Sequence, residues 1–405
     1  MRRTARGGLE YHLLVVVTLG LVAFGLVMVY SASSARATLA ADDPAYYLKR
    51  QGAYALLGIV ALVVLSRTDF RRLRYLVPPL LLASFALLVA VLVLGTPVNG
   101  ARRWLTLGPA TLQPSELAKL ALALWLAAYL SRSPVPQSLR ELLRPIGVVF
   151  GAALALILVE PDLGTAIATV VMLAAVLVVA GARFSTLAGA GAIGVSLIAA
   201  AIWLEPYRRE RILSFLDPWQ DPQGAGFQSV QAMLALGSGG FFGVGLGESV
   251  QKVYYLPEAS TDMIFAIIGE ELGLFGAFAV LAAFVVFGYA GFNIALACRD
   301  RFGKLLAAGL TALICGQAAV NVSAVMGLAP LTGIPLPFVS YGGSSLVVML
   351  ASVGILLNIA VNDAAESIAT VPDRRRRDGR SRPARPRGRR VASRPRRVRH
   401  ARRSA

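Results

Sequence analysis

Apolar residues in this chain fall in long blocks, separated by short stretches where charge, proline and glycine collect. Against the roughly 20 residues that a helix needs to cross a bilayer, ten blocks stand out, at 12–33, 51–66, 75–94, 114–131, 145–160, 162–181, 184–204, 263–297, 304–326 and 344–362. They predict an all-α polytopic membrane protein with ten transmembrane helices. Between the seventh and eighth lies the one long polar interruption, about 205–262, where most of the acidic and amide side chains gather.

The cations orient the pattern. Arg2, Arg3 and Arg6, then Arg67, Arg71, Arg72 and Arg74, then Arg132, Arg140 and Arg144, then Arg183, then Arg299, Arg301 and Lys304 all fall in connections on one side. By the positive-inside rule that side is cytoplasmic, which puts both termini inside and the long loop outside. Arg102, Arg103, Arg208, Arg209, Arg211 and Lys252 lie on the disfavoured side. Cations kept there point to an anionic ligand, such as a phosphate.

Composition agrees. With 405 residues, 56% hydrophobic and 15% charged, the chain is too apolar for a soluble protein of its size. The net charge of +18 is mostly local, because Asp373–Ala405 holds sixteen arginines against two aspartates and leaves only about +4 elsewhere. The chain therefore divides into a cytoplasmic N-terminus (1–11), a membrane domain (12–362) and an Arg-rich, disordered cytoplasmic tail (363–405). The tail is suited to anionic lipid headgroups or a cytoplasmic protein, and nucleic acid is not expected as a partner. The first apolar block reads as a retained span, not a cleaved leader. Cys298 and Cys315 lie in or beside apolar helices and read as inert thiols; His12 and His400 have no metal-ligand company, so no histidine metal site is expected. GSGGFFGVGLG matches a dinucleotide fingerprint only loosely and lacks the strand–helix setting, so no nucleotide site is expected.

Three further outer connections carry chemistry. VNGARRWLTLGPATLQPSELAK brings Pro114 to a helix start and sets Glu116 and Lys119 three apart on one face, a self-neutralising pair. EPDLGTA places Glu160 and Asp162 in a tight turn, readable as a helix cap or as part of a cation site. GLAPLTGIPLPFVSYGGSS is apolar yet broken by Pro330, Pro335, Pro337, Gly333, Gly342 and Gly343; irregular backbone at that depth needs a protein or cavity cover, so it is expected to line a site. Asp217 and Asp221 read as turn formers. Glu270 and Glu271 lie two turns into an apolar helix, where a carboxylate needs either a buried partner, such as Lys119 or a loop arginine, or a role in a cavity. Asp262, between Ser260-Thr261 and the run MIFAIIG, reads either as a helix cap or as a general base at the membrane boundary.

Taken together, RILSFLDPW, GSGGFFGVGLG, LPEASTDMIFAIIGEELG and TGIPLPFVSYGGSS, with QPSELAKLAL and EPDLGTA, resemble the SEDS family (shape, elongation, division and sporulation) over about 12–362. The resemblance implies a ten-helix fold with both ends cytoplasmic and a peptidoglycan glycosyltransferase that polymerises lipid II on the outer face of the membrane. It assigns Asp262 as the essential aspartate, here in TDMIF where the family often has Phe in place of Met263 and His in place of Ser260. Glu258, Lys119, Glu116, Arg211 and the Ser340–Ser344 region also coincide with family motifs. Arg102, Arg103, Lys119, Arg211 and Lys252 are the candidates to hold a diphosphate, with Glu258, Ser340 and Ser344 as further substrate contacts and Glu116, Glu270 and Glu271 in support. A divalent cation, magnesium or manganese, could share the charge. The implied partners are lipid II, a class B penicillin-binding transpeptidase and other division proteins. The family wording favours the septation branch over the elongation branch. A lipid II flippase and a non-catalytic division scaffold are the rival readings.

Overall fold

A computed structural model describes residues 2–39, 43–98, 101–108, 110–204, 209, 213–253 and 255–369. Helices α1 (Arg2–Leu39), α2 (Tyr46–Arg67) and α3 (Leu73–Leu94) are followed by a small sheet and then α4 (Pro114–Arg132), α5 (Leu139–Val159), α6 (Leu163–Ala180) and α7 (Phe184–Leu204). After the long interruption come α9 (Ile264–Ala297), α10 (Arg301–Val325) and α11 (Gly343–Ala369), while the interruption itself contains α8 (Phe227–Ser238). Every predicted block thus forms a helix. By length and apolarity, however, eight of them could cross a membrane among the described residues. The other two are α4 and α7. Thirteen of the nineteen residues of α4 are buried in the bundle, so it has little lipid to face and can carry Glu116 and Lys119; α7 is a 21-residue apolar helix, Phe184–Leu204.

Two expectations shift at the backbone level. The fifth helix begins at Leu139, before the predicted 145, and passes through a π turn over Leu143–Gly147 that contains Pro145. Proline supplies no N–H, and the wider turn accommodates the missing bond. The connection after α3 is not a plain loop: β1 (Thr96–Val98), β2 (Ala101–Leu107) and β3 (Ala110–Leu112) make an antiparallel sheet in which Thr96 faces Trp104 and Thr106 faces Thr111.

The centre is α10 with α11. In their spanning windows 78% and 89% of residues are buried, against 17–44% for the other spans. Small residues allow this: a Cβ on Gly309 would press on Val176 of α6, and one on Gly291 of α9 would press on Thr311, the close approach that membrane helices use in place of a hydrophobic drive.

The two ends of the bundle are closed differently. At the end rich in basic residues, Arg74 donates to both oxygens of Asp300 at 2.8 and 3.0 Å and stacks on Phe302, while Asn358 accepts from Phe70 N at 2.9 Å. At the opposite end the sheet, the 160–162 turn, the end of the long interruption and the segment 326–342 meet. There α9 is broken at Gly273, whose φ of 65° lies in the region that favours glycine. The Gly-rich loop takes over its ladder: Leu274 N and Phe275 N donate to Gly240 O and Phe241 O, and Glu270 O and Glu271 O accept from Val244 N and Gly245 N. A Cβ on Gly243 would collide with the Glu271 carbonyl. GSGGFFGVGLG is therefore a clasp on a broken helix. Cys298 and Cys315 are both free thiols. Residues 370–405, where most of the predicted tail falls, lie outside the described residues.

Candidate functional site

Asp262 ends the long interruption two residues before α9. The cap position is Met263, which makes no side-chain cap bond, so the helix-cap reading of Asp262 is not the one the chain adopts. Instead a tight turn presents it. Glu258, with a φ of 56° unusual outside glycine, turns the chain so that its carbonyl accepts from Thr261 N at 3.0 Å and Met263 N at 3.3 Å. The Thr261 hydroxyl lies 2.9 Å from the Glu258 carboxylate and 3.3 Å from Asp262 Oδ1. Glu258 thus shapes the turn.

This turn is tied to the bundle through its backbone. Asn321 of α10 donates to Asp262 O and to Ile334 O, both at 2.8 Å, and Tyr341 N donates to Ser260 O at 2.8 Å. One turn earlier on α10, Gln317 donates to Pro335 O at 3.0 Å and accepts from Lys119 Nζ at 2.6 Å. Each of these amides thus holds two groups at once, and together they fix the broken segment against the helix. On its other flank Gln51 of α2 donates to Ser340 O.

Arg103 comes to the same place from β2. Successive strand residues face opposite sides, and the two arginines separate accordingly: Arg102 is exposed and reaches back to Leu92 O at 3.4 Å, whereas Arg103 points into the end of the bundle. There its Nε donates to Glu160 O at 2.9 Å and its Nη2 to Pro161 O. Gly333 lies between Arg103 and Asp262: a Cβ there would stand 3.9 Å from Arg103 Nη1 and 3.9 Å from Asp262 Oδ2. A half-buried carboxylate and a guanidinium thus border one glycine-lined spot, and the guanidinium donates to two carbonyls, which are uncharged acceptors.

The other predicted residues distribute differently. Glu116 and Lys119 form the expected pair at 2.9 Å, fully buried, with Lys119 also bonded to Gln317; they brace α4 against α10 beneath the site. Lys252 lies 2.8 Å from Glu271 and also donates to Ser31 Oγ and Gly247 O, so its three protons are engaged within the protein and it does not stand as a cation for a ligand. The partner of Glu271 is therefore Lys252, where Lys119 or a loop arginine was expected. Glu270 accepts from Ser249 Oγ, from Val250 N at 3.0 Å and from Gln251 N at 3.4 Å. Both carboxylates fasten the clasp. The Ser340 hydroxyl accepts from Leu336 N, and that of Ser344 bridges Thr111 O and Gln113 N; both are used to hold backbone. Arg211 lies outside the described residues. Asp162 caps α6 through Thr165 N at 3.1 Å, and Asp221 accepts from Gly224 N and Ala225 N as a turn former should.

Among the described residues no group of three or more histidine, cysteine or acidic side chains could hold a metal ion. Two features went unread in the sequence. Asn321 and Gln317 had a signal, since amides inside an apolar span need partners. The meeting of Arg103 with the 160–162 turn had none, because it joins elements 57 residues apart.

Residues 11–365 match the FtsW/RodA/SpoVE family model, described as cell cycle protein. The chain is 43% identical over 352 residues to stage V sporulation protein E of Bacillus subtilis (strain 168), covering 86% of this chain and 96% of that one. It is also 43% identical over 358 residues to the probable peptidoglycan glycosyltransferase FtsW of Trichlorobacter lovleyi, covering 87% and 93%. Among solved structures it resembles a chain of a peptidoglycan synthase complex that coordinates polymerization and crosslinking, at 34% identity and a TM-score of 0.73 over 86% of this chain and 97% of that one. The rod shape determining protein RodA of Thermus thermophilus matches at 30% identity and a TM-score of 0.63, over 86% and 96%.

Proposed function

The chain belongs to the SEDS family of FtsW, RodA and SpoVE, and from that membership we propose that it is a peptidoglycan glycosyltransferase polymerising lipid II into β-1,4-linked glycan, with Asp262 as general base. The observation that carries this reading is that the Asp262 carboxylate and the Arg103 guanidinium both border Gly333. A base and an anion-binding cation facing one spot are what a diphosphate-leaving glycosyl transfer needs.

In the proposed step the 4-hydroxyl of the acceptor's N-acetylglucosamine attacks the anomeric carbon of the donor's N-acetylmuramic acid. The bond from that carbon to the diphosphate oxygen breaks, undecaprenyl pyrophosphate leaves, and Asp262 takes the hydroxyl proton. An α-linked diphosphate displaced once gives the β bond, so a single carboxylate suffices; the second carboxyl of a glycosidase protonates a poor leaving group, and a diphosphate is a good one. Arg103 meets the charge developing on it, as would a divalent cation entering with the substrate. Arg102 stands farther round the strand as an outer contact, and Glu258 holds the turn.

The orientation follows: both termini cytoplasmic, ten helices in the membrane and the Asp262 end outside, where lipid II is presented. The reading as an FtsW-like septal enzyme rests on the FtsW relatives, and partnership with a class B transpeptidase on the likeness to a chain of a synthase complex. A flippase would use the intramembrane Glu270 and Glu271 as moving carriers; their engagement by Lys252, Ser31 and Ser249 favours a fixed clasp. The test is incubation of the purified full-length protein and its transpeptidase with lipid II, products resolved by length. Glycan ladders are expected; lipid II bound or moved across a vesicle membrane with no ladder would transfer the reading to a flippase or scaffold.

A further inference from the structure

Among the described residues at this end, Glu160 is the acidic side chain whose two carboxyl oxygens both lack a hydrogen-bond partner. It closes α5 and is 1% exposed. Its neighbour two residues on is the opposite case: Asp162 accepts from Thr165 N and Oγ1, from Gln113 Nε2 and from Ser115 Oγ. A carboxylate stripped of water and given no donors is unfavourable, so the same site tolerates Glu160 far better with its proton on.

Arg103 is joined to the same residue. Its Nε donates to the Glu160 carbonyl and its Nη2 to that of Pro161, contacts that fix the guanidinium in place without cancelling its charge. The side-chain carboxyl belongs to the same residue whose carbonyl Arg103 holds, yet makes no hydrogen bond to the guanidinium. If Glu160 were ionised, it would neutralise the cation that faces Asp262.

We infer that Glu160 is a positioning residue that governs how much charge Arg103 presents to the substrate: held uncharged, it leaves the guanidinium free to take the diphosphate of a polyprenyl-linked sugar. This rests on the glycosyltransferase reading above. Glu160 acts through Arg103 and does not touch the substrate. The charged groups that bear on it are Asp162 at the start of α6 and Arg103 of β2; from α4, Glu116 and Lys119 are paired with each other, and the neighbouring contacts of Ile157 with Leu88, Ala118 and Ala166 are apolar. Burial, then Asp162, push its carboxyl up to about 8 against the opposing pull of Arg103.

The sign follows by linkage. Below that value Glu160 is protonated and Arg103 keeps its full charge. Above it the carboxyl ionises unless the anion is bound, so affinity for the diphosphate falls by up to about tenfold per pH unit. The experiment is binding of undecaprenyl pyrophosphate to the detergent-solubilised full-length protein from about pH 6.5 to about 9.5, with polymerisation of lipid II followed in parallel. Wild type should lose affinity above about pH 8. Glu160→Gln and Glu160→Met, both uncharged and of similar size, should remove that loss alike, because the native side chain makes no hydrogen bond. Arg103→Gln should bind more weakly throughout and show no such fall, which keeps the idea open to refutation if the Glu160 variants do not fold. The same fall in all four proteins, or a Glu160→Gln variant that binds where Glu160→Met does not, would overturn it. Wild type that shows the pH-dependent binding but forms no polymer would sink the glycosyltransferase reading and leave this inference standing.

Discussion

Glu270 and Glu271 are 2% and 0% exposed and Glu160 is 1% exposed, yet the two regions treat their carboxyls in opposite ways. The first pair sits in the clasp with an ammonium, hydroxyls and backbone amides around it. Glu160 has none. Depth alone is thus a poor guide to function in a membrane protein; what separates these carboxyls is whether both oxygens are left without partners. By that measure the clasp is structural, and at the other end Glu160 is left without donors.

The largest effect that could break this comparison concerns the clasp. Lys252→Met leaves Glu271 buried without its counter-ion, a loss expected at about 3–5 kcal/mol, seen as a lower thermal transition in detergent. Adding Glu271→Leu should recover much of it, because the desolvated charge goes too. If instead Lys252→Met kept wild-type stability and lost only lipid II affinity, the lysine would belong to the ligand and the two regions would not differ as described. A smaller effect sharpens the other side. Arg103→Ala should raise KM for lipid II about tenfold or more, in line with the roughly 1.5–3 kcal/mol of a charge-assisted contact, while Arg102→Ala on the opposite strand face should change it less than about threefold. Equal effects of the two would mean that the strand's facing carries no functional information.

Much of the scaffold was legible from the chain alone. Each of the ten apolar blocks falls on a helix, and eight of these helices are long and apolar enough to cross a membrane among the described residues. The Glu116–Lys119 pair was readable because both partners lie on one helix. What could not be read is long-range. Lys252 looked like an unpaired outer cation, since its partner Glu271 is presented by a helix whose break at Gly273 is made by another segment. The sheet at 96–112 was missed because its strands are only three to seven residues long, and α8 because it lies inside the stretch that polarity marked as loop. Asn321 and Gln317 were visible as amides in an apolar span, but which carbonyls they would hold depends on how 326–342 folds back.

The central claim is that Asp262 is the base, and the most direct measurement compares Asp262→Asn with wild type, each with the transpeptidase partner, in polymerisation of lipid II resolved by product length. Asparagine keeps the size of the side chain, and the turn is held by backbone bonds from Asn321 and Tyr341. The variant should therefore fold and bind lipid II as wild type does while losing about a hundredfold or more in rate, the scale of a removed general base. Glycan ladders from Asp262→Asn at close to the wild-type rate would contradict the account and move the base elsewhere.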